Sequence, residues 1–166
     1  MPTICRLIQL TPDQAATLTA DPELLGKTVG TAKRYSDVYR YWDGIRFLLA
    51  QHRPGSAAAR WLELGTPVSA PTADLPAARV LTPDHVAELA HALQDIQPDD
   101  LAAHYDAGAL DQAGVYPNCW REWEETFDPL GQVLEHYSFL QSIAAECGAG
   151  RTALLLRFEF LEDGSV

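Results

Sequence analysis

The sequence predicts an α+β fold: a small sheet that includes strands from both ends of the chain, packed against at least five helices. Three observations carry this. Residues 4–10 and 152–161 read as strands, with apolar side chains on both faces of the first and Leu154, Leu156, Phe158 and Phe160 on one face of the second. The intervening residues carry apolar stripes of helical period. Neither terminal strand can bury its apolar face alone, so the two are expected to be neighbours in one sheet.

The elements follow in order. Thr11-Pro12-Asp13-Gln14 is a helix start: Thr11 caps, Pro12 suits the first helical position and Gln14 completes a capping box. Asp21-Pro22 restarts the chain toward Gly26, and residues 27–34, with Gly30 and no apolar period, read as a loop. Ser36 is placed as the cap of an amphipathic helix with Val38, Tyr41, Trp42, Ile45, Leu48 and Leu49 on one stripe, ended by Pro54-Gly55. A short helix is expected over 56–64, then a proline-punctuated loop to Ala78 and a third strand at Arg79-Val80-Leu81. Thr82-Pro83 opens the next helix, which turns His91 and Asp95 outward as a solvated pair. Short helices are expected from Pro98 and from Asp106, and Val115-Tyr116 runs extended before Pro117. Trp120, Trp123 and Phe127 share a helix face, and Asp128-Pro129 starts the longest helix, closed by Gly148.

With 166 residues the chain is expected to form a single domain over 1–166 around one core. Hydrophobic residues make up 47% and charged residues 21%, a balance that excludes a disordered chain, and no apolar run approaches the roughly 20 residues of a membrane helix. The first ten residues lack the basic start and apolar centre of a secretory signal, so the expected compartment is the cytoplasm. The net charge of −11 argues against nucleic acid and anionic membrane as partners. That charge is lopsided: residues 1–81 sum to +2 and residues 82–166 to −13. The basic segment Lys27 to Arg60 is expected to pack beside the acidic half rather than to bind an acidic partner.

Three cysteines without short spacing fit neither a disulfide framework nor a zinc cluster, and His85 and His91 are six residues apart, too far round a helix to clamp one ion. No metal site and no cofactor is expected. There is no nucleophile elbow, phosphate loop or dinucleotide fingerprint, since Gly148-Ala149-Gly150 follows a helix and precedes a strand. Glu122, Glu124, Glu125 and Asp128 around Trp120, Trp123 and Phe127 raise an organic-cation site, weighed against rings in the core and carboxylates in solvent, which is the favoured reading.

Trp42-Asp43-Gly44-Ile45-Arg46-Phe47-Leu48-Leu49, then Arg79-Val80-Leu81-Thr82-Pro83, then Val115-Tyr116-Pro117 with Trp120, then a long helix and a final apolar strand resemble the YfbM-like family of bacterial domains of unknown function. The resemblance implies an α+β fold and a bacterial protein, and it transfers no activity. It also marks a departure, because the family pattern commonly carries histidine where this chain has Arg46. A guanidinium cannot serve as a base near neutral pH, so the exchange favours a non-catalytic role. The reading is therefore a binding or regulatory domain with a protein as the candidate partner, and with Asp43, Arg46, Tyr116, Trp120 and Glu122 as candidate binding residues. The alternative is a small hydrolase or transferase in which Asp43, Tyr116 and Glu122 converge.

Overall fold

The computed structural model describes residues 2–32 and 35–161. Strands β1 (Thr3–Leu10) and β5 (Ala153–Phe160) pair antiparallel over their full lengths, from Thr3 opposite Phe160 to Leu10 opposite Ala153. They occupy the middle of a five-stranded antiparallel sheet of order β2-β1-β5-β4-β3, with β2 at Tyr35–Tyr39, β3 at Thr66–Pro67 and β4 at Arg79–Leu81. The α+β expectation and the pairing of the terminal strands hold.

Each face of the sheet has its own cover. Cys5, Leu7, Leu154, Leu156 and Phe158 point toward the main core, shared with α3 (Trp42–His52), α4 (Pro83–Leu93), α5 (Pro98–Ala102), α6 (Ala107–Gln112), α7 (Trp120–Glu124) and α8 (Pro129–Gly150). On the opposite face Ile8, Leu10, Val80, Ala153 and Leu155 are covered by α1 (Pro12–Ala20) and α2 (Leu25–Thr31). Period-two alternation puts Arg6 on that second face, beyond the reach of α1. There it bridges Asp37 at 3.3 Å and Glu159 at 2.8 Å, and Arg157 lies 3.4 Å from Glu159.

Local chemistry starts the helices where the sequence indicates. The Thr11 hydroxyl accepts from Gln14 N–H while the Gln14 amide oxygen accepts from Thr11 N–H, and Thr82 forms the equivalent box with His85. Asp128 Oδ1 accepts from Gly131 N–H at 2.9 Å and opens α8, which runs 22 residues to a left-handed Arg151 rather than stopping at Gly148.

Four expectations are corrected. Residues 35–39 are strand, so the predicted helix begins at Trp42 and not behind Ser36. The cause is a bulge: Cys5 opposes Tyr39 while Arg6 opposes Asp37, and the extra residue Val38 turns into the core, which makes the apolar spacing look helical. Residues 25–31 form α2, although it carries two glycines and no fully buried side chain. Residues 56–63 make successive turns instead of a helix. Asp95 lies past the end of α4, and His91 pairs with the Gln94 amide at 3.1 Å. Of the basic segment, Arg46 pairs locally with Asp43, Arg53 and Arg60 are exposed, and Lys33 and Arg34 lie outside the described residues.

Candidate functional site

Four of the five candidate residues meet, in a crossing between α3 and the 115–120 turn. Asp43, only 8% exposed, accepts through Oδ1 from Arg46 Nε at 2.6 Å and through Oδ2 from Tyr116 N–H at 2.8 Å. Tyr116 reaches the start of β1, its hydroxyl accepting from Thr3 N–H at 2.6 Å, and its ring stacks on Trp42 with centroids 5.4 Å apart. The Tyr116-Pro117 peptide is cis. Trp120 is fully buried, with its indole N–H donating to Val115 O at 2.9 Å and its backbone N–H capped by Asp111 at 2.7 Å. The six-membered ring of Trp120 lies against Gly44, where a Cβ would fall 2.6 Å from Cη2. Asp43, Arg46, Tyr116 and Trp120 thus tie α3 to the turn that precedes α7.

Glu122 is not part of this crossing. It sits exposed on α7, and neither Asp43 oxygen accepts from it nor does it bond the Tyr116 amide. Both Asp43 oxygens are engaged by donors, which fixes the orientation of its carboxylate. The Cys5 and Cys119 thiols are not activated. Burial raises Cys119 above its ordinary value, helped by the nearby Glu122 and Asp111 carboxylates, and burial does the same to Cys5.

A second arrangement, which spacing could not reveal, lies where the β2–α3 turn meets the α7–α8 junction. Rings form a continuous chain: Phe127 to Trp123 at 5.2 Å, Trp123 to Tyr41 at 5.8 Å, Tyr41 to His136 at 4.8 Å, and His136 to Phe139 at 5.6 Å. Its two ends are the most open large apolar side chains among the described residues, Phe127 at 40% and Phe139 at 45% exposure. At the Phe127 end a cavity of about 370 Å³ is lined by Arg40, Tyr41, Phe127, Asp128 and Gln132.

The turn that builds this groove is strained. Tyr39 has φ of 49°, a left-handed conformation costing a non-glycine residue about 1–2 kcal/mol, and it swings Arg40 and Tyr41 out of the strand toward α7 and α8. Arg40 lies over Tyr39 at 4.7 Å and over Trp123 at 5.6 Å, and one of its terminal nitrogens donates to the Tyr39 hydroxyl at 2.8 Å. The chain therefore supplies its own cation to these ring faces, which answers the organic-cation reading: Arg40 occupies part of the aromatic surface such a ligand would use. Trp120 is core, Trp123 half-buried and Phe127 exposed, so the face they were expected to share is divided between three environments.

Elsewhere, His52 and His104 approach to 3.4 Å, yet among the described residues no group of three His, Cys, Asp or Glu side chains is placed to hold a metal ion. Among the same residues no helix is long and apolar enough to cross a membrane.

Residues 1–156, nearly the whole sequence, match the sequence model of DUF1877, a domain of unknown function. The chain belongs to the DUF1877 family. A solved structure, that of YfbM from Escherichia coli, itself described as a protein of unknown function, superposes with a TM-score of 0.70 at 13% identity, covering 92% of this chain and 98% of that one. At that identity the likeness establishes the fold alone. No curated protein matches. The YfbM-like resemblance read from the Trp42 to Leu49 and Arg79 to Pro83 stretches is thereby borne out for this DUF1877 member.

Proposed function

We propose that this DUF1877 domain is a non-catalytic binding protein of the bacterial cytoplasm, and that it engages another protein through the aromatic groove between the β2–α3 turn and α8. The observation that carries this reading is the pair of exposed rings, Phe127 and Phe139, at the ends of a ring chain whose middle member Tyr41 is buried. Monomeric proteins expose few contiguous apolar surfaces, and those they do expose are commonly interaction sites. Aromatic residues are also the side chains that contribute most to protein interfaces. The strained Tyr39 supports the same reading, because such strain is retained where the surroundings use the geometry it creates. Three free cysteines suit a reducing compartment.

The enzyme alternative has weaker support, since Asp43 is consumed by structural hydrogen bonds and Glu122 stands apart. A photo-crosslinking amino acid placed at position 127, with the protein expressed in its own cells, tests the proposal. A discrete protein adduct is expected, absent when the crosslinker is moved to Thr17 on α1. Equal labelling at both positions, or none at 127, overturns it.

A further inference from the structure

The first turn of α3 builds the crossing with the 115–120 turn, and its last residue, His52, meets His104 in the turn that follows α5. This pair lies at the far end of α3 from the aromatic groove. His52 Nδ1 and His104 Nε2 are 3.4 Å apart, with ring centroids at 5.5 Å and planes 62° apart. The nitrogen-bearing edges therefore face one another, and the ring faces do not stack. Both backbones are anchored by buried neighbours. Leu48 and Leu49 precede His52 in the core, and Arg53 N–H donates to Leu49 O at 2.9 Å. His104 N–H donates to Leu101 O at 3.0 Å, and Leu101 is fully buried. The rings stay within reach of solvent, His52 half-buried and His104 exposed.

The separation favours one use of the pair over another. Nitrogen donors in proteins hydrogen-bond at about 2.7–3.2 Å, so 3.4 Å is long for a direct bond between the rings. Two metal–nitrogen bonds of about 2.0–2.1 Å meeting at the tetrahedral angle hold their nitrogens about 3.3–3.4 Å apart. The bite of the pair is that of two imidazoles on one ion, on backbones already fixed in place. Imidazole nitrogens suit Zn²⁺, Cu²⁺, Ni²⁺ and Co²⁺, and they do not supply the oxygen ligands that Mg²⁺ and Ca²⁺ require. Among the described residues no third His, Cys, Asp or Glu completes the set, so a four-coordinate ion keeps two positions for water. Structural zinc sites close all four positions with protein ligands, and an ion held by two of them exchanges readily. We infer that His52 and His104 form a labile two-histidine site for a borderline divalent transition-metal ion such as Zn²⁺, which clips the C-terminal end of α3 to the turn between α5 and α6.

The test titrates the intact, untagged, metal-free protein with Zn²⁺ alone, followed by calorimetry and by the histidine ring resonances. One ion per chain should bind saturably and shift the His52 and His104 rings together, and excess Mg²⁺ should not displace it. His52→Gln and His104→Gln change solvent-accessible side chains, and each should weaken binding at least about tenfold. His91→Gln, exposed on α4, should leave it unchanged. Zn²⁺ should raise the Tm of the wild type and of His91→Gln, and of neither site variant, because an ion that ties two elements together binds only the folded chain. Amide spectra of the metal-free variants that overlay on the wild type show that the fold is kept. Binding that survives either site substitution rests on an adventitious ion only and overturns the inference. Equal binding of Mg²⁺ overturns it too, as does the absence of saturable Zn²⁺ binding.

Discussion

Gly44 lies inside α3, where alanine is intrinsically favoured over glycine by about 1 kcal/mol, so helix propensity alone predicts that Gly44→Ala stabilises the protein. The structure predicts the reverse. The added methyl would lie 2.6 Å from Trp120 Cη2 and 2.9 Å from Cζ2, well inside contact distance. Trp120 cannot easily retreat, because its indole N–H is held by Val115 O at 2.9 Å and its backbone N–H by Asp111 at 2.7 Å. Overpacking a tight core costs about 1–3 kcal/mol, and a pinned neighbour puts this site in the upper half of that range. Set against the propensity gain, the expected net loss is about 1–2 kcal/mol, or roughly 2–8 °C in Tm for a chain of this size. Urea denaturation of the wild type, Gly44→Ala, Trp120→Phe and the double variant checks this. Phenylalanine removes the ring that meets the methyl, so Gly44→Ala should become neutral or stabilising in that background, with a coupling of about 2–3 kcal/mol. A stabilising Gly44→Ala in the wild-type background, or additivity within about 0.5 kcal/mol, refutes the close approach.

Because Asp43 is buried and satisfies both Arg46 and the Tyr116 amide, Asp43→Ala should cost about 2–3 kcal/mol by chemical denaturation, and Asp43→Asn less, since its one oxygen still serves one donor. Asp37 has the opposite sign. Burial pushes its carboxyl above the ordinary value against the lowering effect of Arg6, whose Nε lies 3.3 Å away without hydrogen-bond alignment. A carboxyl that binds its proton more tightly when folded contributes stability at low pH that is lost as pH rises from the unfolded value through the folded one. Asp37→Asn should therefore match or exceed the wild type in Tm at pH 7, with that advantage shrinking by pH 4. A larger advantage at pH 4 than at pH 7 would contradict the assignment.

The fold was legible wherever a signal is local. Thr11 with Gln14, Thr82-Pro83 and Asp128-Pro129 start helices through contacts within four residues, and the alternation at both ends marks strands whatever their neighbours are. Residues 35–41 misled because Val38 owes its burial to a bulge, a property of the β1–β2 pairing and not of the segment itself. The α2 helix escaped notice because it buries no side chain completely, so no stripe records it. The site shows the same divide. Asp43 and Arg46, three residues apart on one helix, were joined by spacing, whereas Tyr116 reaches Asp43 through a turn 73 residues away. Arg40, Trp123 and His136 converge from three separate elements, and no period in the sequence links them.

Placing the first and last strands side by side at the centre of the sheet has a consequence for how the molecule is made. During synthesis β1 emerges first, and its principal partner leaves the ribosome only after about 150 further residues. Until then β1 has at most the five-residue β2 beside it, while β4 has no central strand to join. The nascent chain can form its local helices but not the surface on which they pack, so the sheet assembles late and by long-range closure. A ribosome stalled before residue 153 should hold a helical, protease-sensitive chain, and release of β5 should convert it in one cooperative step.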